Sequence, residues 1–256
     1  MADVVVVTGA SQGIGRAIAT AFGSRGGTVV LAARNREGLE ETAVAVDDAG
    51  GKPMVHVTDV TDSESLDRMV RSVLDEHGTI DVLVNNSGIG GPSGHLWEVD
   101  PEAWRATFDV NVFGVFLASR AVLPVMIERG SGSIVIVGSI SGKRPLVGRS
   151  SYTTSKTALI GLTRTLAAET GPHGVRVNLV SPGFVAGPRL DWVIEAQAKA
   201  RGLTAAEVRA EFESESPMGR LTEPEDVARA VVYLASDAAG GVTGADLNVN
   251  SGVVMY

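Results

Sequence analysis

The chain has 256 residues, 44% of them hydrophobic, enough to bury one substantial core and short for two full-sized domains. Lys and Arg number 22 against 30 Asp and Glu, a formal charge of −8 that repels a phosphate backbone and argues against a nucleic-acid partner. There is no cysteine, which excludes disulfides, thiolate nucleophiles and Cys-ligated metal sites, so redox chemistry here requires a bound cofactor.

In chain order, Met1, Ala2 and Asp3 lead into the valines of 4–7, with no basic head and an apolar run too short for a secretory signal. No uninterrupted apolar run approaches the ~20 residues of a membrane span. A cytoplasmic protein with no membrane partner is therefore expected. Short β-branched runs at 4–7, 28–32, 54–57, 80–84, 133–137, 175–180 and 247–249 alternate with helical periods at 13–24, 63–77, 101–128 and 155–170. Asp100-Pro101 and Glu223-Pro224 read as helix starts. The alternation is that of right-handed βαβ units, and it predicts an α/β fold. The expected architecture is a single doubly wound, Rossmann-like domain over 1–256, with a seven-stranded parallel sheet and helices on both faces. Residues 187–217 add no strand and are expected to form a helical insertion that covers substrate beyond the carboxyl ends of the strands.

The first strand is followed at once by Thr8-Gly9-Ala10-Ser11-Gln12-Gly13-Ile14-Gly15 and then by a helical period. Glycines there let the chain turn tightly and let a pyrophosphate approach the amides of a helix N-terminus; an ordinary strand-to-helix turn is the alternative. At the end of the second strand an acid would bond the 2′ hydroxyl of NAD, whereas a base would pair with the 2′ phosphate of NADP. Ala32-Ala33-Arg34-Asn35 offers no acid before Glu37. Arg34, assisted by Arg16, is thus the candidate phosphate ligand, unless it is a solvated loop arginine.

Tyr152 and Lys156 are four residues apart, which puts a phenol and an ammonium on one helix face. Tyrosine titrates near ~10, too high for acid/base work at neutrality, and a neighbouring cation brings it closer to working range. Alone, the pair is a frequent chance match. Ser139, thirteen residues earlier at the carboxyl end of the fifth strand, either hydrogen-bonds the same substrate oxygen or is a turn serine. Asn111, inside the long apolar helix, is either a simple exposed residue or the holder of a water behind the lysine.

Together with Asp59 after the third strand, Asn85-Asn86-Ser87-Gly88 after the fourth and Pro182-Gly183 after the sixth, these motifs run nearly end to end. The chain resembles the short-chain dehydrogenase/reductase family. That resemblance implies an oxidoreductase that moves hydride between a nicotinamide and a secondary alcohol or ketone, with NADP(H) preferred and NAD(H) possible. It implies Tyr152 as general acid/base, Lys156 as the group that binds the nicotinamide ribose and lowers the tyrosine pKa, Ser139 as the group polarising the substrate, and Asn111 as holder of a relay water. By the same resemblance the cofactor would meet Gly9, Ser11, Gln12, Gly13, Ile14 and Gly15, then Arg34 and Asn35. Asp59 and Val60 would flank its adenine, Asn86, Ser87 and Gly88 would form its floor, and Pro182, Gly183 and Val185 would sit near the nicotinamide beside Tyr152 and Lys156. A homotetramer is also implied; the stripe Val112, Val115, Phe116 and Val122 suits a subunit interface or a core face equally. The chain departs from the family pattern at Ser87, usually alanine, at Gly187, often a threonine contacting the cofactor, and at Gln12, often basic in NADP-preferring relatives.

Ser141 is a substrate candidate, and around it and at the head of the insertion stand Arg144, Arg149 and Arg189. They either pair a carboxylate, phosphate or sulfonate of the substrate or serve subunit contacts and surface charge. His95 and Trp192 are further substrate candidates, with packing as the alternative for the tryptophan. The four histidines show no metal spacing, and no metal is expected. Competing readings are an NAD-dependent alcohol, hydroxy acid or polyol dehydrogenase, a non-catalytic nucleotide sensor on the same fold, and an epimerase or dehydratase.

Overall fold

The valines that open the chain are all fully or nearly fully buried, because each alternate side chain meets a different layer of helices. They form β1 (Val4–Thr8), followed by β2 (Thr28–Ala33), β3 (Lys52–Val57), β4 (Val82–Asn85), β5 (Gly132–Val137), β6 (Val175–Pro182) and β7 (Asp246–Val249). The computed structural model describes residues 3–256; Met1 and Ala2 lie outside the described residues. The seven strands are parallel in the order β3-β2-β1-β4-β5-β6-β7. The order reverses between β1 and β4, and a crevice at the carboxyl ends of the strands opens at such a switch point.

Nine α-helices connect and cover the strands among the described residues: α1 (Gly13–Gly23), α2 (Arg36–Asp48), α3 (Ser63–His77), α4 (Pro101–Phe108), α5 (Gly114–Arg129), α6 (Ser150–Thr170), α7 (Pro188–Arg201), α8 (Ala205–Ser214) and α9 (Pro224–Ala235). Val4 and Val6 join one apolar layer with Leu66, Val122 and Leu159 from α3, α5 and α6. Val5 and Val7 join the opposite layer with Ile18, Phe22 and Val231 from α1 and α9. The expected doubly wound sheet is therefore the observed one.

Some boundaries differ from expectation for local reasons. Ile80 is buried but precedes β4, since the neighbouring Asp81 carboxylate takes the Val4 N–H at 2.6 Å. The helix expected over 155–170 starts at Ser150, so both Tyr152 and Lys156 lie inside α6. The helix expected over 101–128 is interrupted by a π-helical turn, Asp109–Phe113, between α4 and α5. Counted through that turn, Pro101–Arg129 has the length and mean hydropathy of a membrane span, which the reading of uninterrupted runs missed. In the fold this helix buries Val115, Leu117, Ala118, Val122 and Met126 in the layer over the sheet. Val115 and Val122 are thus core residues, while Phe116 of the same stripe is exposed beside Phe113.

Segment 187–217 folds as α7 and α8, which share an apolar cluster of Ile194, Ala198 and Val208 with Leu190, Leu203 and Phe212 at its margin. A capping box between Thr204 and Glu207 starts α8. Phe212 meets Phe184 edge-on at 4.7 Å, tying the insertion to the chain leaving β6.

Candidate active site

The glycine turn lies at the switch point, between β1 and α1. Gly9 and Gly13 have φ of +66° and +54°, and a Cβ on Gly9 would stand 2.9 Å from Asn86 Nδ2. The Asn86 amide donates to Thr8 O at 3.0 Å and Gly9 O at 3.1 Å, while Thr8 Oγ1 accepts from the N–H groups of Asn86 and Ser87. Asn86 therefore braces the turn from β4. Because Ser87 enters through its backbone, the exchange of alanine for serine leaves this brace intact. Gln12 caps α1 without a side-chain hydrogen bond, no acid occupies the first turn, and the space beside Gly13 is open. Unclaimed amides at the positive end of a helix suit a pyrophosphate, so Ser11 to Gly15 fit a dinucleotide.

At the end of β2, Arg34 is 72% exposed at its side chain, with Nη1 3.9 Å from Asp59 Oδ2. Burial pushes the Asp59 carboxyl up, but Thr61 N–H and O–H bonds at 2.9 and 2.8 Å, together with Arg34, outweigh it and hold the group below its usual range. Asn35 accepts from Gly38 N–H and caps α2. One expectation needs correction. Arg16 does not point to the phosphate position: it reaches Glu41 at 2.6 Å, Thr42 Oγ1 at 3.0 Å and Ser11 O at 2.9 Å. The side chain of Val60 is buried and packs toward Gly114, whose added Cβ would stand 2.9 Å from it, which leaves the Val60 backbone as its contact for an adenine.

The π-helical turn sets Asn111 facing inward, fully buried, so it is not the exposed residue that one reading allowed. Its Oδ1 accepts from Ile89 N–H at 2.8 Å, and its Nδ2 donates to Ile89 O and to Ser155 Oγ, each at 3.0 Å. Ser155 in turn donates to Tyr152 O at 2.7 Å. From α6, Lys156 passes inward, 5% exposed, and its Nζ donates to Val137 O at the end of β5 at 2.8 Å. That ammonium is 5.9 Å from the Tyr152 ring centroid. Gly88 leaves room for both groups, since its added Cβ would stand 3.3 Å from Asn111 Oδ1 and 3.6 Å from Lys156 Nζ.

Ser139 accepts from Ser141 N–H at 3.1 Å, and its hydroxyl lies where it favours the ionised Tyr152 phenol. Burial raises the phenol's pKa; Lys156, Arg189, the Ser139 hydroxyl and Arg149 outweigh it, so Tyr152 ionises below its usual value. Lys156 is shifted down, first by burial and further by Arg189, against the opposing pull of the Tyr152 phenolate.

The substrate candidates separate. Arg149 and Arg189 lie over the Tyr152 ring, at 5.8 and 5.5 Å from its centroid. Arg144 does not join them: it is paired with Glu215 at 3.1 Å and sits over Phe184. His95 is exposed and stacks on Trp97 at 4.7 Å, and Trp192 is 67% exposed, so neither is drawn to Tyr152 by a contact. Gly183 donates to Val249 O at 3.1 Å, tying the chain after Pro182 to β7, and Val185 bridges to Thr222. Gly187 has φ of +132°, a backbone state in which the family's threonine would be strained. Sequence reasoning gave no role to Thr8, Ser155 or the Ile89 backbone. Thr8 stood inside the glycine motif, whereas nothing local marks Ser155, whose partner is 44 residues away.

This layout, with dinucleotide-binding amides at the switch point and a cation-flanked phenol beyond the strand ends, defines a cofactor-dependent oxidoreductase. A family profile described as enoyl-(acyl carrier protein) reductase matches residues 9–254. A cis-4-hydroxycyclohexanecarboxylate dehydrogenase of Sinomonas cyclohexanicum is 41% identical over 249 residues, 97% of this chain and 95% of that protein. An actinorhodin polyketide ketoreductase variant with NADPH has a TM-score of 0.93 at 34% identity, covering 100% of this chain and 98% of that one. NAD+-bound xylitol dehydrogenase has 0.91 at 31%, covering 96% and 97%. The chain belongs to the short-chain dehydrogenase/reductase family and is an oxidoreductase.

Proposed function

We propose that the protein interconverts a secondary alcohol and a ketone on a small substrate bearing an acidic group, with NADP(H) as preferred cofactor. The observation that carries this reading is the convergence of the Ser139 hydroxyl and the Lys156 ammonium on the Tyr152 phenol. A bound nicotinamide supplies the hydride donor or acceptor. Ser139 and Tyr152 hold the substrate oxygen. In reduction the Tyr152 O–H gives its proton to that oxygen, and in oxidation the phenolate takes the proton back. Lys156, anchored on Val137 O, keeps a positive charge beside the phenolate, and Asn111 holds the Ile89 backbone in place behind it. The segment 187–217 covers the substrate, and the chain works as a homotetramer.

The lack of an acid at the end of β2 and the exposure of Arg34 support NADP(H). The Asp59 carboxylate beside Arg34 favours a second reading, an NAD-dependent hydroxy acid dehydrogenase. Parallel fluorescence titrations with NADPH and NADH, repeated on Arg34→Ala, test the choice. Preference for NADPH that the substitution abolishes is the expected result; equal or tighter NADH binding overturns it.

A further inference from the structure

Most cations near the reaction centre have acids of their own. Lys143 pairs with Asp246 at 2.9 Å, Arg144 with Glu215 at 3.1 Å, and Asp191, two residues past Arg189, lies 3.9 Å from Arg209. Arg149, Arg189 and Lys156 are different: among the described residues none of the three has a carboxylate within ion-pair distance. They nevertheless share one place. Both guanidiniums lie within 6 Å of the Tyr152 ring centroid, and both close over Gly90, where an added Cβ would stand 2.5 Å from Arg149 Nη2 and 2.8 Å from Arg189 Nη2.

The pair is built rather than incidental. Arg149 Nη2 donates to Gly90 O at 2.6 Å, and Gly90 follows Ile89, whose N–H and C=O are both held by Asn111. Arg149 Nε is buried and has no hydrogen-bond partner among the described residues. Three like charges gathered around one ring, one of them with an unfilled buried donor, repel each other until an anion joins them.

We propose that Arg149 and Arg189 form a clamp for the carboxylate of the substrate, so that the enzyme selects compact hydroxy acids and keto acids over uncharged alcohols and ketones. The planar forks of two guanidiniums match the two oxygens of a carboxylate. Their closeness to the Tyr152 ring requires that carboxylate to lie only a few bonds from the carbon being oxidised or reduced, as it does across a six-membered ring. The proposal rests on Tyr152 as the acid/base, since it places the acid relative to that phenol. Asn111 acts here as a positioning residue, through Ile89 and Gly90.

The test is calorimetric binding of cyclohexanecarboxylate and of its methyl ester to the full chain, with and without saturating NADPH, for the wild type, Arg149→Met and Arg189→Met. The acid is expected to bind more tightly than the ester, and each substitution to weaken the acid by roughly 10- to 100-fold. Arg189 is exposed, so Arg189→Met carries the test even if Arg149→Met folds poorly. Equal binding of acid and ester by the wild type, or an undiminished preference for the acid in Arg189→Met, overturns the clamp. So does a loss confined to NADPH affinity, which would assign the arginines to the cofactor phosphates. If instead the wild type discriminates acid from ester yet turns over no alcohol or ketone, the clamp stands and the catalytic reading fails.

Discussion

Replacing Asn111 by alanine tests whether the π-helical turn exists to hold the loop after β4. The substitution removes three hydrogen bonds of 2.8, 3.0 and 3.0 Å from a fully buried side chain. Ser155 keeps its bond to Tyr152 O at 2.7 Å, so the groups left without partners are the N–H and C=O of Ile89. An orphaned polar group costs about 1–3 kcal/mol when fully buried; Ile89 is half-buried and water can reach part of the loss, so the two together cost about 1–4 kcal/mol. That is a large share of the ~5–15 kcal/mol that stabilises a typical domain. At about 2–4 °C per kcal/mol for a chain of this size, Tm should fall by roughly 2 to 16 °C. Calorimetry and urea unfolding measure it. An Asn111→Ala protein melting within roughly 1 °C of the wild type would refute the reasoning.

Two further outcomes follow from the same site. Oxidation of an uncharged alcohol should rise with pH to a plateau, because the phenolate is the base, with its midpoint below the ordinary tyrosine value near ~10. Arg189→Met removes one of the cations that favour the phenolate, so the midpoint should move to higher pH in a kcat/KM profile; an unmoved midpoint would contradict the electrostatics described. Gly187→Thr restores the residue common in the family but forces a side chain onto a φ of +132°. It should lower stability by about 1–3 kcal/mol, and NADPH affinity should not improve, both readable in one ligand-dependent melting series.

Much of this was legible along the chain because parallel strands covered on both faces read as unbroken β-branched runs, as Val4 to Val7 do. Spacing put Tyr152 and Lys156 on one helix face, but only the resemblance to the short-chain dehydrogenase/reductase family joined Ser139 to them in one site. What stayed hidden depends on contacts between distant segments. Arg16 and Arg34 look alike in sequence, yet Glu41 from α2 claims the first at 2.6 Å, while the second stands 3.9 Å from Asp59. Arg144 and Arg149 stand five residues apart, and only the fold brings Glu215 to one and leaves the other over Tyr152. The π-helical turn has no local signature either. Its extra residue per turn changes which side chains face inward, and so takes Asn111 off the exposed surface.

The central claim is that the Tyr152 phenol transfers the proton while a bound nicotinamide exchanges hydride with the substrate carbon. The most direct measurement is single-turnover oxidation of bound NADPH by 4-oxocyclohexanecarboxylate, followed by absorbance, in the wild type and in Tyr152→Phe. The account predicts rapid turnover by the wild type and a loss of about 10²- to 10⁴-fold in the variant, with NADPH still bound. A Tyr152→Phe protein that oxidises NADPH at the wild-type rate would contradict it.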